Sequence, residues 1–358
     1  MTPRPTLDAN DAIGPQQRVP AEWEPQECVW ISWPHNHETW PGRFDRIPSF
    51  FARWVQIIAE SVPVRVLAEK QLASDCRKLL GTQHNIELID IPTNDCWIRD
   101  YGPTFILNES GQPLSLADWK YNAWGGKYPP WDKDAAVCKR IGNALNVPVE
   151  NSELVVEGGA LEFDGNGRLL TTTNCLLAKN RNPGVSQARV EHEIRRITGV
   201  TEIVWLDGGG LAGDDTDGHI DQLARFIDRK NIVACVSNYP HDHHSPGLNQ
   251  NLCQLKNWAA TTSPSMTVHP LPAPEIRRIN DQPVPQSYCN FLRLGPDRVL
   301  VPQFHAPEDD HAAGLIHELT GASITKIDCS DLAWGLGALH CASRDQPRIP
   351  PMPSDDRR

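Results

Sequence analysis

Residues 186–206 read SQARVEHEIRRITGVTEIVWL. Ser186–Thr198 is helix-like, Gly199 supplies a left-handed stop, and the β-rich run Ile203-Val-Trp-Leu206 follows. The same order recurs on both sides. Toward the N-terminus, Ile47, Phe50, Phe51, Trp54, Ile57 and Ile58 fall on a helical period and lead into residues 62–67. Residues 72–80 stop at Gly81 before Ile86-Glu-Leu-Ile-Asp-Ile91, and residues 134–145 precede Val147-Pro-Val149. Toward the C-terminus, residues 248–260 lead to Met266-Thr-Val268, and residues 311–320 stop at Gly321 before Ile324-Thr-Lys-Ile327. A hairpin-like stretch, residues 160–170, lies between such units. Repetition on this scale fits modules set around an axis, and equally any mixed α/β fold with the same elements.

The chain has 358 residues, enough to bury a sizeable core, and shows no linker long enough to separate a pair of domains. The reading is a disordered segment 1–20, one catalytic domain 21–345, and a disordered tail 346–358. Net charge is −11, which argues against nucleic acid and anionic membrane as partners and suits a small cation. No apolar run approaches a membrane span, and residues 1–20 lack the apolar stretch of a secretory signal, so a cytoplasmic protein is expected. None of the ten cysteines forms a C-x-x-C pair, so they are read as reduced, packed residues among which one reactive thiol could hide. Trp33 and Trp40 offer surface to close a pocket or join copies into a homo-oligomer, although the core is the safer place for aromatic residues.

Three motifs carry no function here. Gly208-Gly-Gly-Leu-Ala-Gly213 matches a dinucleotide fingerprint, but Asp214-Asp-Thr-Asp217 follows it, and those carboxylates would repel a pyrophosphate. His241-Asp-His-His244 reads as a solvated loop rather than a metal site. The stretch 215–219 misses calcium-loop spacing.

Four segments gather carboxylate, histidine or cysteine beside glycines at strand ends: Asn94–Pro103, Glu157-Gly-Gly159, Asp214–Asp221 and Gly335–Cys341. Each has an ordinary reading alone. Asp100 could pair with Arg99, and Glu157 could cap a strand. Together they suit a cation held by carboxylates while a thiolate attacks it.

The segments WIRDYGP, EGG, TTTNCLLAKNRNPG, DDTDGHID, YCNF and GALHC resemble the agmatine deiminase family of the guanidino-group-modifying superfamily, alongside bacterial peptidylarginine deiminase and arginine deiminase. The motifs keep the family's order from Trp33 to Pro347. The resemblance implies an α/β fold, a five-bladed pseudo-symmetric propeller (a pentein) of ββαβ modules around a central active site. It also implies roles. Cys341 is the nucleophile, His219 the general acid/base, and Glu157 the partner that orients the histidine. Asp100 and Asp221 grip the guanidinium, and Trp97 forms a pocket wall. Alternation along an extended segment would aim His219 and Asp221 at one side. No metal or organic cofactor is implied. The sequence departs from the family's usual triple glycine at Trp334-Gly-Leu-Gly337 and in the Ala-Ser-Arg-Asp-Gln run after Cys341.

A site for agmatine should offer carboxylate or aromatic walls to a distal amine, and Asp215 and Asp217 are placed for that, with turn capping as their alternative. Arginine would need a cationic clamp, for which Arg99, Arg181 and Arg189 are candidates. The expected activity is hydrolysis of agmatine to N-carbamoylputrescine and ammonia through a cysteine thiouronium. The alternatives are a deiminase of peptidyl or free arginine and a catalytically silent guanidino- or polyamine-binding protein.

Overall fold

In the computed structural model, which describes residues 17–108 and 115–349, the sequence rhythm becomes small mixed sheets with one repeated pairing pattern. Thr104–Asn108 pairs antiparallel with Ser115–Lys120, the helix Val137–Leu145 crosses over, and Val149–Val155 returns parallel. A parallel neighbour cannot be reached by a tight turn, so a helix must make the crossing. The order repeats through Glu162–Phe163, Arg168–Thr172, helix Gln187–Thr198 and Glu202–Leu206. It repeats again through Ala224–Phe226, Asn231–Ser237, helix Ser245–Thr261 and Thr267–Ala273. A fourth copy runs Leu292–Leu294, Arg298–Gln303, helix Asp309–Thr320 and Ser323–Asp328. The fifth joins the chain's two ends. Ser343–Pro347 lies antiparallel to Gln26–Ser32, and helix Ile47–Ala59 leads to the parallel strand Val64–Leu67. Helix Ala73–Leu80 and strand Ile86–Ile89 extend that sheet.

Each crossing helix buries one stripe. Ile47, Phe50, Phe51, Trp54 and Ile58 enter the main core, and Val190, Ile194 and Ile197 enter a smaller one. Trp33 and Trp40 are buried there too, and Trp40 donates its indole N–H to the Leu332 carbonyl. Helix stops follow the glycine rule at Gly199 and Gly321, both in the left-handed helical region. Gly81 differs: its φ is 69° but its ψ is −167°, so the chain leaves that helix extended.

The expected domain edges move outward. Gln17–Arg18 pairs with Thr104–Asn108, and Gln346, in a paired strand, accepts hydrogen bonds from Trp30 and Arg65. Residues 17–18 and 346–347 therefore belong to the folded unit, because they pair in sheets. Of the two expected disordered ends, residues 1–16 and 350–358 lie outside the described residues. All ten cysteines are free, and all but Cys253 are buried. His244 is built into the fold, accepting from the Ala212 N–H at 3.0 Å, whereas His241 and His243 stay at the surface.

One consequence of the repeat positions the site. A short helical turn or bend precedes the first strand of every copy: Ile98–Tyr101, Gly158–Ala160, Ile220–Gln222, Tyr288–Asn290 and residues 338–342. The first four pack on one another in that order. The Arg99 N–H donates to the Cys341 carbonyl, and the His340 N–H donates to the Asn290 side chain, so the last turn touches the first and the fourth.

Candidate active site

Trp97, Asp100, Glu157, His219, Asp221 and Cys341 each sit on or beside one of these turns. Asp100 lies in the turn Ile98–Tyr101, buried. Its Oδ1 accepts from the Gly159 N–H at 3.0 Å and its Oδ2 from the Trp124 indole at 2.9 Å. Burial, joined by the Asp221 and Glu157 carboxylates, pushes its acid form up to about 6.

His219 is fully buried, 3.5 Å from Asp100 Oδ1 through Nδ1 and 3.8 Å from Glu157 Oε2 through Nε2. Burial alone would favour the neutral ring, but Asp100, Cys175 and Glu157 outweigh it and hold the imidazolium well above the usual histidine range. The loop before it is shaped by Asp214, which accepts from the Thr216 and Gly218 N–H groups, while Thr216 Oγ1 accepts from the His219 N–H.

Asp221 does not follow His219 along an extended strand. The segment is a 3₁₀ turn, Ile220–Gln222, so alternation is not what aims the two side chains together. They converge nonetheless. A methyl group built on Gly159 would lie 2.6 Å from His219 Nδ1, 2.7 Å from Asp100 Oδ1 and 3.3 Å from Asp221 Oδ2. Asp221 Oδ2 accepts from His340 Nδ1 at 2.8 Å, and its Oδ1 has no hydrogen-bond partner among the described residues. Burial would raise its acid form, but the hydrogen bond and charge of His340 prevail and hold it low.

Cys341 Sγ lines the cleft, 3.5 Å from Asp221 Oδ2, and accepts from Asn290 Nδ2 at 3.1 Å. Burial and the Asp221 and Asp100 carboxylates push the thiol well above its ordinary range. An arriving cation would cancel that repulsion and favour the thiolate.

Glu157 stands behind the histidine. Both its oxygens accept from Arg181 Nε at 2.8 Å, and Cys175 Sγ is 3.5 Å from Oε2. Burial opposes its ionisation, yet His219 and Arg181 keep it ionised. Glu157, Cys175 and His219 are close enough to share a metal ion. However, the Arg181 guanidinium already covers both Glu157 oxygens and would repel a second cation, so the trio reads as a support for the histidine.

The cleft above Cys341 holds about 760 Å³. Trp97, Trp124, Tyr128 and Trp334 wall it, and Glu38, Asp95, Asp134 and Asp215 also line it. Trp97 packs on Trp40 at 5.6 Å, and Gly335 and Gly337 leave both rings room. Leu336, between those glycines, holds a left-handed φ of 70° and contributes its side chain to the wall. Asp215 accepts from the Tyr128 hydroxyl, and Asp217 is taken by Lys127 and Arg181. No arginine lines the cleft among the described residues.

The sequence reading gave no role to Asn290, Trp124, Cys175 or His340. The first stood inside the quoted YCNF motif. Trp124 had a signal of its own, the run Asn-Ala-Trp-Gly-Gly126. Residues 123–126 all take positive φ, and Asn122 Oδ1 accepts from the Gly125 N–H to stabilise that turn.

Comparison with known proteins gives the family. The model of the Porphyromonas-type peptidyl-arginine deiminase family matches residues 18–347. The chain belongs to that family. A Legionella pneumophila (strain Paris) protein, provisionally named agmatine deiminase, is 34% identical over 333 residues, covering 92% of this chain and 95% of its own. The solved Enterococcus faecalis agmatine deiminase superposes with a TM-score of 0.84 at 28% identity, covering 93% of this chain and 96% of that one. A Porphyromonas gingivalis structure provisionally titled arginine deiminase gives 0.85 at 33% identity, covering 93% and 98%. The protein is thus an agmatine deiminase-like C–N hydrolase acting on a guanidino group, with the mixed α/β fold of those deiminases.

The pH profile follows from the charges. Because kcat/KM reports ionisations of the free enzyme, it should fall with unit slope as the pH drops below about 6, where Asp100 takes up a proton. Above that value Asp100 is a carboxylate. An acid limb that stays flat down to the ordinary aspartate range would contradict this assignment.

Proposed function

We propose that the protein deiminates agmatine to N-carbamoylputrescine and ammonia in the cytoplasm, through a covalent thiouronium on Cys341, with the five repeated units set as blades of a pentein propeller around the cleft. The observation that carries the substrate is the make-up of that cleft. Acidic and aromatic side chains line it, and no described lining residue is an arginine that could clamp an amino-acid carboxylate. The three arginines that sequence offered are spent elsewhere. Arg99 is buried against Glu22 and Asp345, Arg181 lies behind Glu157, and Arg189 is exposed on the helix Gln187–Thr198. The two cleft lysines are paired, Lys127 with Asp217 and Lys133 with Glu69.

In this reading Asp100 and Asp221 bind the guanidinium N–H groups and fix its plane. Their neutralisation frees Cys341 to ionise, its thiol proton passes to solvent because His219 is already protonated, and the thiolate attacks the guanidinium carbon. The imidazolium of His219 protonates one nitrogen of the tetrahedral adduct, and ammonia leaves. Neutral His219 then takes a proton from water, whose oxygen attacks the thiouronium carbon. The carbon–sulfur bond breaks as the new hydroxyl gives up its proton to solvent, releasing the ureido product and the thiolate. Glu157 and Arg181 hold the imidazole ring throughout.

A colorimetric ureido assay with agmatine, free arginine and an arginine-ended peptide tests the proposal, with Cys341→Ala as blank. Turnover of agmatine alone, lost in the blank, is expected. Preference for arginine or the peptide would overturn the substrate while keeping the chemistry. No turnover of any would overturn the catalytic reading in favour of a silent guanidino-binding protein.

A further inference from the structure

The residue before the nucleophile has a place of its own. His340 is buried, and each of its ring nitrogens faces a carboxylate oxygen. Nδ1 lies 2.8 Å from Asp221 Oδ2, and Nε2 lies 2.6 Å from Glu22 Oε1. An ionised carboxylate only accepts, so a ring set between two of them donates from both sides and carries a positive charge. Glu22 is fixed in turn. Its Oε1 is 3.0 Å from the Arg99 guanidinium and its Oε2 is 2.6 Å from Arg225. Those arginines continue to Asp345 and Glu162, 3.0 and 2.8 Å away. The histidine backbone is pinned as well, because Asn290 Oδ1 accepts from its N–H and its carbonyl accepts from Arg99 Nε.

The arrangement leaves Asp221 half used. One oxygen is taken by His340, and the other is buried without a partner among the described residues. An unrestrained carboxylate here could turn either oxygen toward Sγ or swing away from the cleft. The ring N–H of His340 behind it, itself anchored on Glu22, decides which oxygen remains free for a substrate N–H.

We propose that His340 is a positioning residue. As an imidazolium between Glu22 and Asp221, it clamps Asp221 so that its free oxygen meets the guanidinium, and it makes the chain near Glu22 a component of the active-site support. The proposal rests on the gripping role given to Asp221 above. It explains why a buried cation adjoins the nucleophile in sequence without touching the cleft: it acts on the carboxylate, not on the sulfur.

Two measurements test it. Nitrogen-15 NMR of the histidine-labelled protein at neutral pH needs no substrate. His340, assigned by the signal lost in His340→Gln or shifted in Glu22→Gln, should show two protonated ring nitrogens with N–H protons slow to exchange. One pyridine-type nitrogen would overturn the proposal. In kinetics with the guanidine that the assay panel selects, His340→Gln should raise KM about tenfold or more with a smaller change in kcat. Glu22→Gln should raise KM less, because a neutral ring can still donate Nδ1–H to Asp221 while accepting from the new amide. An unchanged KM in folded His340→Gln, or an equal loss in both variants, would overturn it. Should the wild type turn over no guanidine, the catalytic reading fails while the NMR result still decides whether His340 is the clamped imidazolium.

Discussion

Cys341→Ala is expected to lower turnover by about 10⁴-fold or more while leaving guanidine binding close to the wild-type level. The asymmetry follows from which groups do what. Asp100 and Asp221 bear the charge that would hold the cation, and both are anchored by neighbours other than the sulfur: Gly159 and Trp124 for one, His340 for the other. The sulfur contributes the bond to carbon, for which nothing near it can substitute, since Cys175 lies on the far side of His219 beside Glu157. Calorimetric titration of the variant measures binding, and the ureido assay measures turnover. A variant retaining more than a hundredth of the wild-type rate would remove Cys341 from the chemistry.

Gly159→Ala is expected to cost about 10²-fold or more in kcat/KM with the fold intact. The position is where three polar atoms of the proposed machinery converge, and a methyl carbon would fall 2.6 and 2.7 Å from His219 Nδ1 and Asp100 Oδ1. Neither contact can be kept, so the ring or the carboxylate must move. Displacements near 1 Å in a catalytic array cost on the order of 10²-fold in rate. The backbone is not the issue, because φ at Gly159 is not positive. A thermal unfolding scan should show a change of a few degrees at most, and a drop below threefold in kcat/KM would mean that the groups around Gly159 are not the reacting ones.

The sequence made the elements legible where one physical signal sufficed. Periodicity placed the helix at Ile47–Ala59, and Gly199 and Gly321 marked helix ends because an αL residue is needed there. The motif-bearing residues Asp100, Glu157, His219, Asp221 and Cys341 come together around Gly159 and the cleft. What stayed hidden were the residues that act through another side chain. Asn290 reaches Cys341, Trp124 reaches Asp100, and Glu22 reaches His340 only because distant segments are packed together. Such pairings leave no local pattern. The same holds for Arg181, which sequence offered as a substrate clamp and which the fold places behind Glu157. The chain ends were misread for a related reason: Gln17–Arg18 and Gln346–Pro347 look like loose polar ends until their sheet partners are known.

The most direct test is mass spectrometry of the protein acid-quenched during turnover of agmatine. A population heavier by agmatine less ammonia is expected, with the added mass mapping to Cys341 after digestion. Ureido product accumulating with no adduct on any cysteine, or with the adduct on a cysteine other than Cys341, would contradict covalent catalysis at this site.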